Sequence, residues 1–216
     1  MQPFFGLFVQ QDFKESQIVS LYAWQGGLGL PERDFYINDD RSIRELRAAY
    51  VKYLARMLKL SGRREADVDA SAAAVVRLET ALALVSRKLE ETRDPLKNYH
   101  RFAPPDFTRT HTPSLDWGER LTAWHVQPEF MVVGQPEYFD ALDAILRRTP
   151  VEVLKDYLRL RLLTGYAEAL SPDFERAHFD FYKRALSGAT DDPYLKGFGE
   201  GVIQLAERAE ALARGG

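Results

Sequence analysis

Apolar residues recur every three or four positions along most of this chain, and alternate only in a few short runs. That pattern predicts helices joined by turns, with little sheet. Ile43, Leu46, Tyr50, Tyr53, Leu54, Met57 and Leu58 form one helical stripe, with Ser42 and Glu45 as a capping box at its start and Gly62 as its stop. A longer helix is predicted from about Glu65 to roughly Arg93. Val68, Val75, Leu82 and Leu89 stand seven apart, with Leu78 and Val85 in a second seam, and Pro95 limits its reach. The short Ser61-Gly62 connection folds this helix back on the first as an antiparallel pair. Residues 94–114 hold Pro95, Pro104, Pro105 and Pro113 without periodicity, which predicts a long loop with about one turn of helix. Further helices are predicted from Ser114 (Leu115, Trp117, Leu121, Trp124), from Pro136 (Tyr138, Leu142, Ile145, Leu146) and from Thr149-Pro150-Val151-Glu152 to about Leu170. Two more open at Ser171-Pro172, ending at Gly188, and at Asp192-Pro193.

Alternation of period two is confined to Phe5–Val9 and Gln17–Tyr22, which predict a hairpin, while Phe130–Val133 is a strand-like run between Pro128 and Gly134. The fold class expected is mainly α: a multi-helix domain with a long antiparallel helix pair, plus a small β-hairpin near the N-terminus. The abrupt entry into that hairpin suggests a start taken from inside a larger fold.

One stretch breaks every period. Gln25-Gly26-Gly27-Leu28-Gly29-Leu30-Pro31-Glu32-Arg33-Asp34-Phe35-Tyr36 begins with residues that suit neither a helix nor a central strand. Its Leu28, Leu30, Phe35 and Tyr36 nevertheless call for burial, so an ordered, packed loop is expected. As a phosphate cradle it fails, because Glu32 stands where G-x-G-x-x-G requires its third glycine.

Composition narrows the function classes. The 216 residues are 45% hydrophobic and 28% charged, enough for a substantial core. A net charge of −3 offers no basic surface for nucleic acid, and the basic residues are scattered among acids. There is no cysteine, so thiolate metal sites and cysteine nucleophiles are excluded. No apolar run approaches the ~20 residues needed to span a bilayer, and no signal peptide is recognisable. The compartment is left open.

Candidate chemistry is sparse. His100, His111, His125 and His178 include no H-E-x-x-H pair, the spacing that puts two imidazoles on one zinc ion. Pro128 separates His125 from Glu129, and each histidine is read as a core or surface residue. Glu175-Arg176-Ala177-His178 has the Glu-x-x-His spacing of di-iron bundles but occurs once, where such sites need two. Arg33-Asp34 is the most site-like charged pair. It could clamp a substrate, but the preferred reading is that both residues satisfy backbone groups of the loop and the nearby helix start. Asp39-Asp40 and Asp191-Asp192 precede helix starts, Glu90-Glu91 is solvated helix charge, and no G-x-S-x-G elbow is present. Gly197, Gly199 and Gly201 suit close packing or a turn rather than a phosphate loop. No catalytic, cofactor-binding or metal residue is assigned.

The irregular stretch also carries a resemblance. Gln25, Gly27-Leu28-Gly29-Leu30-Pro31 and Arg33-Asp34-Phe35-Tyr36 resemble the signature before the first long helix of the large domain in neprilysin-type zinc metallopeptidases. That family includes endothelin-converting enzyme and bacterial oligopeptidase O. Collinear matches follow in Phe5–Val9 with Asp12-Phe13-Lys14, Tyr50–Leu60, Leu78-Glu79-Thr80-Ala81-Leu82-Ala83 and Arg93-Asp94-Pro95 with Asn98-Tyr99. They continue through Leu115-Asp116-Trp117, Tyr157-Leu158-Arg159-Leu160-Arg161, and Phe174, Phe179, Phe181-Tyr182 with Leu186-Ser187-Gly188. The matches cover about residues 5–188.

The resemblance implies residues 1–188 as part of the family's non-catalytic helical domain, which roofs the peptidase active site and restricts substrate size. Residues 189–216 are a divergent, unassigned C-terminal helix. The implied partners are the catalytic domain, in the same protein or a separate chain, and peptide substrates of the parent. Exposed apolar surface on such a piece would favour self-association. Zinc is expected in that catalytic domain and not here, since the family's H-E-x-x-H, E-x-x-x-D and Asn-Ala-Phe/Tyr elements are all missing from these residues. Two alternatives stay open: a stand-alone helical module that binds a peptide or protein, and one chain of a split peptidase completed in trans.

Overall fold

The computed structural model describes residues 3–188. The chain divides into two compact units, Met1–Tyr166 and Ala167–Gly216.

The first unit opens with the hairpin. Strands β1 (Phe5–Gln11) and β2 (Val19–Gln25) pair antiparallel, from Phe5 opposite Gln25 to Gln11 opposite Val19. That hairpin is half of a four-stranded sheet. β3 (His100–Phe102) and β4 (Met131–Val133) complete it in the order β1-β2-β4-β3, with β4 parallel to β2 and antiparallel to β3. Successive strand side chains point to opposite faces. One face therefore delivers Phe5, Leu7, Leu21, Ala23, Phe102, Met131 and Val133 to the main core, and the other carries Tyr22 and Val132, packed with Tyr99, Trp24 and Phe130.

The helices run in chain order: α1 (Asp34–Ile37), α2 (Arg41–Leu60), α3 (Glu65–Val85), α4 (Leu89–Thr92), α5 (Pro104–His111), α6 (Trp117–Ala123), α7 (Pro136–Arg148) and α8 (Val151–Tyr166). The main core lies where Phe107 of α5, Trp117 of α6 and Tyr138, Phe139 and Leu142 of α7 meet the sheet and Leu82 of α3. Each fully buried side chain of this size contributes roughly 1.5–3 kcal/mol of transfer free energy, so these three helices are held chiefly by their aromatic faces. In the second unit, a 3-10 turn (Ala167–Ala169) precedes α9 (Pro172–His178), which continues as a π-helical segment over Phe179–Ala185. The helix expected from Asp192 and the Gly197, Gly199 and Gly201 run fall outside the described residues.

Several boundaries differ from the sequence expectation, each for a local reason. The helix expected to reach Arg93 stops at Val85. There Ser86 Oγ donates to the Leu82 carbonyl (2.8 Å), and the Gln25 side chain takes both main-chain groups of Arg87 (2.8 and 2.9 Å). The backbone of Arg87 is thus spent on Gln25 rather than on a helical turn, and Leu89 falls out of the seam and is 50% exposed. Residues 94–114, expected as loop, contain β3 and α5. Proline at the first helical positions costs no hydrogen bond, so Pro104-Pro105 open α5 rather than prevent it.

The caps also move. Helix α2 begins at Arg41, one residue before the expected cap Ser42, and Glu45 pairs with Arg41 at 2.8 Å. The cap of α6 is Asp116, which accepts from the Glu119 amide at 2.9 Å, while the Ser114 amide donates to Asp143 at 2.8 Å. Thr149 closes α7 by donating its hydroxyl to the Ile145 carbonyl (2.7 Å) instead of capping α8. Helix α8 ends at Tyr166 rather than near Leu170.

Candidate functional site

Of the stretch Gln25–Tyr36, expected as one ordered loop, Gln25 ends β2 and Asp34–Tyr36 belong to α1, so the irregular part is residues 26–33. Its carbonyls are turned inward one after another. Tyr138 Oη lies 2.8 Å from the Gly26 oxygen, Tyr157 Oη donates to Gly27 (2.8 Å), and Arg161 Nη1 donates to Leu28 (2.7 Å). Helices α7 and α8 thus hold the loop by its backbone. Close approach explains the glycines. Gly27 has φ +85°, and a Cβ there would meet the Phe4 backbone at 2.8 Å. A Cβ on Gly29 would sit 1.7 Å from Tyr50 Oη. Both positions therefore exclude side chains on steric grounds.

The second half of the loop is fixed by a buried carboxyl. Tyr36 Oη accepts from the amides of Gly29 (3.0 Å) and Leu30 (2.8 Å) and donates to Glu79 Oε2 (2.8 Å). Tyr50 donates to Glu79 Oε1 at 3.2 Å. Glu79 on α3 is 1% exposed. Burial pushes its carboxyl up from 4.5 to about 7, against the hydrogen bond from Tyr36, the charge of Arg161 and the bond from Tyr50, which all pull it down. Burial likewise raises the Tyr36 and Tyr138 phenols.

This carboxyl gives the fold a pH dependence with a defined sign. A group whose value rises on folding favours the folded state in its protonated form. Its contribution is complete below the unfolded value of 4.5 and is lost as the pH rises through about 7. Stability is expected to fall by about 3 kcal/mol across that interval. Glu79→Gln should flatten that slope. Urea unfolding midpoints of both proteins between pH 4.5 and 8 check this, and parallel profiles would refute it.

Beside the loop lies a cleft of about 200 Å³, lined by Gln25–Leu28 and Leu30–Arg33 on one side and by Ser86, Arg87, Leu89 and Thr92 on the other. Arg33 donates to the Ser86 carbonyl across it (3.0 Å), while its Nε stands 3.7 Å from Asp34. Arg87 reaches Asn98 Oδ1 (3.0 Å) and the Lys97 carbonyl (3.2 Å), and its Nε contacts Glu137. Gln135, also fully buried, links Asn98 (2.6 Å) to the Gln25 amide (2.9 Å).

A second buried carboxylate organises the hairpin end. Asp12 accepts from Ser20 Oγ (2.6 Å), from the amides of Lys14 (2.9 Å) and Glu15 (3.1 Å), and from Tyr99 Oη (2.8 Å). Arg101 reaches it at 3.6 Å and donates to Tyr99 at 2.6 Å. Burial alone would raise the Asp12 carboxyl, but the bonds from Ser20, Lys14, Tyr99 and Glu15 together outweigh it and hold the carboxyl at about 2.

The histidines do not converge. His100 Nδ1 contacts the Val133 carbonyl (3.0 Å), His111 pairs with Asp140 (2.9 Å), and His125 occupies a left-handed turn at φ +57°. His178 packs on Tyr182, and burial lowers its imidazole. Among the described residues no group of three or more His, Cys, Asp or Glu is placed to hold a metal ion.

Comparison with known proteins adds the family. The N-terminal model of peptidase family M13 matches residues 1–206. The chain belongs to peptidase family M13. Human endothelin-converting enzyme 1 is 28% identical over 185 residues, covering 83% of this chain and 24% of the enzyme. An endothelin-converting enzyme homolog of Locusta migratoria is 30% identical over 227 residues, covering 94% of this chain and 31% of the homolog. Among solved structures, the zinc metalloprotease Zmp1 of Mycobacterium tuberculosis in its open state superposes with TM-score 0.81 at 27% identity, covering 96% of this chain and 34% of that one. In complex with an inhibitor the same enzyme gives TM-score 0.79 at 29% identity, covering 87% of this chain and 29% of that one. The chain thus spans about a quarter to a third of the length of these relatives.

The positions that carried the resemblance have physical roles in this chain. Gly27 and Gly29 make room for Phe4 and Tyr50, Tyr36 and Glu79 share one hydrogen bond, and Tyr157 and Arg161 hold loop carbonyls. Arg33, read from the sequence as a backbone-satisfying residue, does hold the Ser86 carbonyl, whereas Asp34 is exposed in the first turn of α1. Sequence reasoning assigned no role to Glu79, Asp12, Asn98 or Gln135. The one available signal was a carboxyl between Leu78 and Leu82 on an otherwise apolar seam.

Proposed function

We propose that this chain is the non-catalytic portion of an M13-type zinc metalloendopeptidase, where it roofs the active site and restricts the size of peptide admitted. The observation that carries this reading is the family match over residues 1–206 in a sequence without H-E-x-x-H. The zinc and the residues that bind it would come from outside these residues. What this chain supplies is a wall: a loop held by its own carbonyls, and two long helices packed against each other.

Two measurements test the proposal. Incubated with a quenched fluorescent peptide and excess zinc, the purified chain should show no hydrolysis that a chelator abolishes; such activity would overturn the non-catalytic assignment. For the roof, this chain can replace the matching segment of the Mycobacterium tuberculosis metalloprotease. The chimera should cleave short peptides and spare unfolded chains of protein length. Equal rates on both would sink the size-restricting role.

A further inference from the structure

The cleft beside the glycine loop has an unusual balance of donors and acceptors. A trans peptide points its N–H opposite to its C=O. Because the Gly26 and Gly27 carbonyls face Tyr138 and Tyr157, the amides of Gly27 and Leu28 face away from those tyrosines, and both residues line the cleft. Among the described residues neither amide has an acceptor. Arg33 adds a third donor: its Nε is buried without a hydrogen-bond partner, with the Asp34 carboxylate 3.7 Å away as an ion pair. Three of the cleft's acceptors are already taken: the Ser86 carbonyl by Arg33, the Arg87 carbonyl by Gln25, and the Gln25 side-chain oxygen by the Arg87 amide. The Ser86 and Thr92 hydroxyls donate to the Leu82 and Leu89 carbonyls. A buried donor without an acceptor, as the Arg33 Nε is, is costly, so a site of this kind gains by taking in an acceptor.

We propose that this cleft binds a carboxylate, with the Arg33 guanidinium and the Gly27 and Leu28 amides as its donors. A planar, two-oxygen anion matches the fork of an arginine. Glu32 on the lining disfavours a dianion such as phosphate, and the volume of about 200 Å³ admits a small group rather than a folded surface. The carboxylate could belong to a free small acid or to the end of a peptide. The proposal rests on the first unit alone and stands or falls separately from the peptidase reading.

The test is a titration of the ¹⁵N-labelled full chain, followed by the amide signals of Gly27 and Leu28. Acetate, a short peptide with a free C-terminus and the same peptide as its C-terminal amide are the probes. Saturable shifts with acetate or the peptide acid, and none with the peptide amide, are expected. Tighter binding of the peptide acid assigns the source to a chain terminus, and equal binding assigns it to a free acid. Arg33→Gln should weaken binding about tenfold, the effect of one charge-assisted hydrogen bond. Since Arg33 also holds Ser86, Glu32→Gln serves as the second variant and should tighten binding. Three results would overturn the site: no saturable shift, equal shifts with the peptide amide, or a Glu32→Gln affinity no higher than the parent's.

Discussion

Replacing Tyr36 with phenylalanine is expected to lower the unfolding free energy by about 3–5 kcal/mol, among the largest effects of any single oxygen in this protein. The phenol oxygen serves three partners at once: it accepts from two loop amides and donates to Glu79. Phenylalanine keeps the ring and its packing but leaves the Gly29 and Leu30 amides without that acceptor. Each buried group so orphaned costs about 1–3 kcal/mol, and the Glu79 carboxyl loses a donor besides. Tyr50→Phe makes the matched comparison. It removes the longer bond to Glu79 (3.2 Å) and should cost about 1 kcal/mol. Urea unfolding of the two variants side by side checks the ranking. If Tyr36→Phe costs no more than Tyr50→Phe, water rather than the tyrosine is serving those amides.

The same hub shows what a sequence can and cannot disclose. Helical periodicity found the body of α2, and Pro136 gave the start of α7, because burial of one helix face repeats locally. The glycine loop was recognisable as ordered, since Leu30 and Tyr36 are buried in a segment that cannot be regular. Its anchors were not recognisable. Tyr138, Tyr157 and Arg161 lie more than a hundred positions downstream, and nothing in their local spacing points at Gly26, Gly27 or Leu28. The end of α3 was misplaced for the same reason. The heptad continues through Leu89, but Gln25, 62 positions upstream, captures the Arg87 backbone. Long-range hydrogen bonds to main-chain atoms leave no period in a sequence. The cleft illustrates this further: the outward turn of its Gly27 and Leu28 amides follows from where carbonyls point, a property no residue pattern encodes.

The second large effect is expected at Asp12, whose replacement by alanine should cost about 3–5 kcal/mol. Its two oxygens collect the Ser20 hydroxyl, the Lys14 and Glu15 amides and the Tyr99 phenol. Those donors come from the hairpin turn, from β2 and from the residue that leads into β3, so a single carboxylate ties the turn to the far edge of the sheet. Alanine would orphan all of them and leave Arg101, among the described residues, with Glu15 as its acidic partner. Ser20→Ala removes one of these bonds and should cost about 1 kcal/mol. The pH dependence separates this carboxylate from Glu79. Its value is depressed from 3.8 to about 2, so its stabilisation is complete above 3.8 and is lost as the pH falls toward 2. Glu79 acts over the interval above 4.5, in the opposite sense. Thermal or urea unfolding from pH 2 to 8 should therefore trace a maximum near pH 4 to 5. Asp12→Ala should flatten the acid limb of that curve, and Glu79→Gln the alkaline limb. A variant that flattened the other's limb would show that the two carboxyls had been assigned to the wrong windows.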